Sequence, residues 1–330
     1  MINLKKTIYY FFIVLIYYLL LTTIIFAFSY ISLINGKTYD LFWIKSIQKK
    51  IYFRGYRDIL HYNENCIMFD KNLLYKPKTG VCNFKNTEFD TNLTFNEFLR
   101  IHEGNNSEKI KKTDLVVLGD SIAMGWGVND DETFSYYLQK LLNQRVYNMG
   151  VSSYGTVREI KRLKQSPYYK DIETIIIQYH RNDMFENIKL KINKEYDLTE
   201  YNKNFNYEKI NYSNLGFILR NYKSAIRLFF SDIIDFLFEE ENLELMNFSW
   251  DKEHLDPVIK KNIDLRDKRV IVVVPIPPWQ KLFNFPKVNE EIEYLLIKLN
   301  KEHFFIIDDH PNMLGHKEIA KKIYDYLNAN

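Results

Sequence analysis

Serine is a weak nucleophile at neutral pH, and attacks only beside a base, a group that orients the base, and donors for the developing oxyanion. The chain carries these residue types at the ends of apolar runs. Leu115-Val116-Val117-Leu118 leads directly into Gly119-Asp120-Ser121. A buried strand that ends in a glycine turn sets Ser121 at the carboxyl edge of a sheet, where open α/β proteins hold their chemistry. Of seven histidines, His310 stands out in Ile307-Asp308-Asp309-His310-Pro311-Asn312, just after the apolar run from Phe304 to Ile307. Asp308 or Asp309 can hold its tautomer and stabilise the imidazolium. His316 falls inside the next helical pattern and reads as structural. Tyr179-His180-Arg181-Asn182-Asp183 follows the run from Thr174 to Gln178, and the Asn182 amide can donate to an oxyanion. The segment from Asn148 through Gly150 and Ser153 to Gly155 can turn a backbone N–H toward the same point. Singly, each has a plainer reading: a simple turn at Gly119, a helix start at His310-Pro311, an ordinary turn at Asn182-Asp183. Their order, each after a strand, favours one site.

The elements that must carry these residues alternate. Strands are expected at 115–118, 146–147, 174–178, 270–275 and 304–307. Helical spacing covers 132–142, 154–163 and 314–327. Apolar, non-alternating strands separated by helices predict a parallel sheet covered on both faces, an α/β fold of three layers, α/β/α. The pattern loosens between 184 and 262, which reads as an insertion. Within it Ile218, Tyr222, Ala225, Phe229, Ile233 and Phe236 recur on one helical face, either shaping a substrate site or covering a sheet edge.

The set of motifs resembles the SGNH, or GDSL-type, hydrolase superfamily, in four blocks between about residues 114 and 328. Gly119-Asp120-Ser121 matches the first. Asn148 and Gly150 match the second, Asn-x-Gly-x-x-Gly, with Ser153 where the family has an oxyanion glycine. Asn182-Asp183 matches the third, with His180 in place of a glycine, where it could narrow the pocket or touch substrate. Asp308-x-His310-Pro311-Asn312 matches the fourth. The resemblance implies a mostly parallel, flavodoxin-like sheet. It implies Ser121 as nucleophile, His310 as base, Asp308 as acid with Asp309 the weaker candidate, and Ser121, Ser153 and Asn182 around the oxyanion. The substrates it implies are esters: acetylated glycans, lipids or small esters. Acyl transfer to a sugar hydroxyl by the same site, and a catalytically inactive binding or assembly protein, are the other readings. No Gly-x-Ser-x-Gly elbow, phosphate-binding loop or Cys/His zinc spacing occurs, so no metal or nucleotide cofactor is expected.

No charge interrupts Thr7–Gly36, and Ile8–Phe28 is almost wholly apolar or aromatic. About 20 apolar residues suffice to cross a bilayer. An uncleaved single-pass anchor over 1–36 is expected, with a cleaved signal ending near Ala27-Phe28-Ser29 as the competing reading. Lys5 and Lys6 before the span oppose Lys37, Lys45, Lys49 and Lys50 after it, so charge leaves the orientation open. An external or periplasmic catalytic domain is expected. Residues 37–112 read as a basic, aromatic segment around Phe42, Trp43, Ile47, Ile51 and Tyr52, lying on lipid headgroups or packing on the main domain. A hairpin-rich lead-in follows, to the hydrolase-like domain at 113–330. Cys66 and Cys82 either form a disulfide or are unrelated thiols. The net charge of +3 and the absence of a recognition motif argue against a nucleic-acid partner.

Overall fold

A computed structural model describes residues 4–105, 111–189, 215–238, 246–249, 252–283, 285 and 291–329. The chain opens with helix α1 (Leu4–Ile34) and helix α2 (Phe42–Ile51). Two antiparallel hairpins follow, β1 (Ile67–Asp70) with β2 (Leu74–Pro77), and β3 (Gly80–Asn86) with β4 (Phe89–Phe95). The sheet region then begins with β5 (Leu115–Leu118), α3 (Ser121–Met124), α4 (Phe134–Leu142), β6 (Val146–Asn148), α5 (Thr156–Gln165), β7 (Thr174–Gln178) and α6 (Arg181–Lys189). It continues through α7 (Leu215–Phe238), β8 (Met246–Ser249), α8 (Lys252–Asn262), β9 (Arg269–Ile276), β10 (Gln280–Phe283) and β11 (Glu293–Lys298), and closes with α9 (Met313–Ala329).

Five strands form one parallel sheet in the order β11-β9-β7-β5-β6. Register puts Val117 beside Ile176 and Ile176 beside Ile271, so like faces align across the sheet. One face, with Val116, Ile175, Ile177 and Val272, packs on Ile160 and Leu163 of α5 and Leu255 and Ile259 of α8. The other, with Val117, Ile176, Ile271 and Val273, packs on Phe134 and Leu138 of α4 and Ile319 and Ile323 of α9. Burial on both faces explains why the strands read as continuous apolar runs. Each such side chain contributes about 1.5–3 kcal/mol by leaving water. The architecture is the three-layer α/β/α sandwich expected. Part of the stretch read as an insertion, α8, belongs to its core; residues 190–214 and the side chains of Phe229, Ile233 and Phe236 lie outside the described residues.

One strand is not where the sequence placed it. Residues 304–307 join no sheet; the edge strand is β11, and Phe304 makes only an isolated bridge to Pro311. The backbone N–H groups of Ile306, Ile307 and Asp308 instead donate to the carboxylate of Glu88, at 2.8, 3.0 and 2.9 Å. A side chain thus replaces the neighbouring strand, which apolar patterning alone does not reveal.

From Lys6 to Ile34, α1 is long and apolar enough to cross a membrane. One face packs inward through Thr22, Phe26, Ser29 and Leu33, and the Tyr18 hydroxyl donates to the Ile226 carbonyl of α7. Gln48 locks the turn into α2: its amide donates to Ser32 Oγ and the Lys37 carbonyl, and its oxygen accepts from the Tyr39 N–H. Ile47 and Ile51 of α2 are buried, while Phe42 and Trp43 stay exposed.

Candidate active site

Ser121 begins the short helix α3 at the end of β5. Asp120 caps it, accepting the Ile122 N–H at 2.8 Å. Gln178, the last residue of β7, accepts the N–H groups of Asp120 and Ala123 and ties the turn to the neighbouring strand. Gly119 has φ +146, and a Cβ there would meet Ala123 and Gln178 below 3 Å. Arg100, buried, donates to the carbonyls of Met124, Gly125 and Val128 and holds the chain after the helix. The serine therefore sits on a turn braced from three sides.

His310 Nε2 lies 2.7 Å from Ser121 Oγ, and its Nδ1 lies 2.5 Å from Asp308 Oδ1. The three residues form one hydrogen-bonded chain. Asp309 turns outward and pairs with Lys49 at 2.5 Å, so Asp308 is the carboxylate behind the imidazole. His310 stacks on Trp126, with ring centroids 4.7 Å apart. Asp308 Oδ2 accepts from the Tyr52 hydroxyl at 2.6 Å and the Trp126 indole at 3.2 Å, and lies 3.3 Å from Arg57 Nε. Burial alone would raise this carboxyl. His310, Arg57 and Tyr52 overcome it and hold the group well below the usual carboxylate range. The Arg57 guanidinium stacks over Trp126 and Phe53, and its Nη2 is 3.1 Å from His310 Nδ1.

Beside Ser121 and His310 opens a cleft of about 210 Å³, walled by Phe53, Ile122, Pro277, Trp279 and Leu299, with Arg57, His180 and Asp309 also on its lining. Gly150 lies behind the serine turn: a Cβ there would stand 2.3 Å from the Met124 nitrogen, so this second motif abuts the Ser121 helix. Asn148 pins the contact, donating to the Ala123 carbonyl at 2.8 Å and accepting the Gly150 N–H at 3.0 Å. Ser153 is exposed, is not among the cleft's described lining, and holds φ +62, a left-handed backbone that a glycine would occupy more easily. Asn182 stands in the first turn of α6, and its side chain lies outside the described residues. His316 is buried and accepts the Phe134 N–H, a packing role. Among the described residues, no group of three or more His, Cys, Asp or Glu could hold a metal ion.

Sequence reasoning missed Arg57, Glu88 and Trp126 as neighbours of the site, and placed Tyr52 only in a membrane-proximal segment. Three of the four precede the sheet, on elements with no link in sequence to the fourth motif. Trp126, five residues after Ser121, was the most findable: an aromatic just past a candidate nucleophile can stack on its base. Cys66 and Cys82 are joined as a disulfide, with Cα atoms 5.3 Å apart. It staples the segment that carries these residues.

No protein-family model matches the chain. No curated protein matches it either. Solved structures do. One is a putative lipolytic protein of the G-D-S-L family from Desulfitobacterium hafniense, 12% identical, covering 64% of this chain and 98% of that one, at TM-score 0.35. Another is an acetyl xylan esterase from the rumen bacterium Butyrivibrio proteoclasticus, 14% identical, covering 68% of this chain and 65% of that one, at TM-score 0.32. A family two carbohydrate esterase from Clostridium thermocellum, in complex with cellohexaose, is 10% identical, with 68% of this chain and 66% of that one covered, at TM-score 0.34. This chain thus spans about two thirds of the two carbohydrate esterases.

Proposed function

We propose that the protein is a serine ester hydrolase of the SGNH type, held at a membrane by α1. The observation that carries this reading is the single chain of contacts from Ser121 Oγ through His310 to Asp308. In it Ser121 attacks the ester carbonyl while His310 takes its proton at Nε2. Asp308 keeps the Nδ1 proton in place and stabilises the imidazolium. The tetrahedral intermediate collapses, and His310 returns the proton to the leaving alcohol. Water, activated by the same imidazole, then attacks the acyl-serine and releases the acid. The backbone N–H groups of Ser121 and Ser153 and the Asn182 amide are the proposed oxyanion donors. The small cleft beside Ser121, walled by apolar and aromatic side chains, suits the acyl part of a short-chain ester such as an O-acetyl group on an envelope glycan. Acyl transfer to a sugar hydroxyl would use the same acyl-serine, with the sugar in place of water.

The disulfide favours an oxidising compartment and so supports an external location for the domain. Hydrolysis of p-nitrophenyl acetate by the detergent-solubilised full chain tests the reading. Turnover lost in Ser121→Ala supports it, and turnover unchanged in that variant overturns it.

A further inference from the structure

His310 and Asp308 stand on a loop that has left the sheet. Among the described residues, the acceptor for the N–H groups of Ile306, Ile307 and Asp308 is not a neighbouring strand. The Glu88 carboxylate, in the tight turn between β3 and β4, takes all three. That carboxylate is largely buried. Burial pushes its pKa up, against the three N–H groups that draw it down. Tyr52, one residue beyond α2, completes the arrangement from the other side by donating to Asp308 Oδ2. With Oδ2 occupied, Oδ1 alone faces the imidazole. Arg57 lies against the same pair.

We propose that Tyr52 and Glu88, contributed by the segment before the sheet, are positioning residues for Asp308 and His310, so that the catalytic acid and base are set by that segment rather than by the sandwich alone. The inference rests on the catalytic reading of Ser121, His310 and Asp308. Its physical content is twofold. Glu88 fixes the backbone path that aims His310 at Ser121. Tyr52 fixes the rotation of the Asp308 carboxylate and withdraws charge from it. Without that hydroxyl the carboxylate is more basic and holds the Nδ1 proton more tightly. The imidazolium is then favoured, and the free base appears only at higher pH. The titratable and charged groups facing Asp308 are Tyr52, Arg57, His310 and Glu88; those around His310 are Asp308 and Arg57, with His180 and Asp309 on the shared cleft lining and His316 deeper.

The test is the rate of covalent labelling by a fluorophosphonate, followed from pH 5 to 9 on the full chain in detergent. This reads serine activation without knowledge of the natural substrate. In Tyr52→Phe the acid limb of the profile is expected to move up by about half a pH unit or more. In Glu88→Gln, whose amide offers one acceptor oxygen where the carboxylate offers two, labelling is expected to slow by about tenfold or more at every pH. A Tyr52→Phe profile that superimposes on the wild type, with Glu88→Gln labelled at the wild-type rate, overturns the inference alone. A wild-type chain that is not labelled at Ser121 overturns the catalytic reading, and the inference falls with it.

Discussion

The Ser121 hydroxyl and the His310 imidazole, separated by 189 positions in sequence, meet at 2.7 Å across the carboxyl edge of the sheet. The contact joins the end of β5 to a loop beyond β11 that the sheet does not hold. Its geometry depends on what clamps that loop, and on Asp308 behind it.

Asp308 Oδ1 lies 2.5 Å from the imidazole Nδ1 of His310. Asp308→Asn replaces an acceptor with a side chain that can present a donor to Nδ1 and reverse the tautomer. Ester turnover is expected to fall by about 10³–10⁴, as for an orienting acid in other triads. Asp309→Asn, which disturbs the exposed pair with Lys49 on the cleft lining but leaves the Asp308–His310 contact in place, is expected to change turnover less than about threefold. Steady-state kinetics on both variants checks the assignment.

Gly150 has no room for a side chain. A Cβ would stand 2.3 Å from the Met124 nitrogen and 2.7 Å from the Ala123 carbonyl carbon, both backbone. Gly150→Ala must therefore move the serine helix or the loop after β6, and is expected to cost about 1–3 kcal/mol, with loss of turnover. Denaturant titration gives the first quantity.

Ser153 is the opposite case. It holds φ +62 with its side chain exposed. Ser153→Gly restores the residue its motif usually carries there, and is expected to raise stability by up to about 1 kcal/mol, with turnover kept. Stability lowered in that variant would contradict the strain argument.

Glu159 and Asp183 lie buried near Asp120, and neither Glu159 oxygen has a hydrogen-bond partner among the described residues. Burial, then repulsion from Asp183 and Asp120, holds the Glu159 carboxyl well above its usual range. A raised folded-state pKa means that the folded chain binds the proton more tightly. The stabilisation is full below the unfolded value near ~4.3 and is lost as pH rises toward the folded value. Glu159's own contribution to stability should fall as pH rises from about 5, by up to about 1.4 kcal/mol per unit. Glu159→Gln should flatten that slope, as urea titrations at several pH values will read.

Much of the fold was legible because its strands are buried on both faces and so appear as unbroken apolar runs. The carboxyl ends of β5, β6 and β7 all carry the residues the motifs marked, and the fourth motif lies on the same edge. The fourth run misled, because Phe304–Ile307 is apolar without being a strand: its N–H groups go to Glu88, and no periodicity records a side-chain acceptor 218 or more positions away. The same blindness hid Arg57, and hid that Tyr52 points at Asp308. Contacts between a segment that precedes the sheet and a loop that ends it leave no trace in local spacing. The choice between Asp308 and Asp309 followed motif spacing, and the pairing of Asp309 with Lys49 supplies a physical reason for it.

The disulfide between Cys66 and Cys82 closes a short loop in the segment bearing Tyr52 and Glu88. Replacing both cysteines by serine is expected to cost about 3 kcal/mol. Turnover and thermal stability should fall together, since the segment that loosens also holds the Asp308 loop. Differential scanning calorimetry beside an ester assay tests the link.

Activation of Ser121 as a nucleophile by His310 is tested by peptide mapping after exposure of the full chain to a fluorophosphonate. One adduct per chain is expected, on the peptide containing Ser121, absent from Ser121→Ala and strongly reduced in His310→Ala. An unlabelled wild-type chain, or an adduct on another serine that persists in Ser121→Ala, would contradict it.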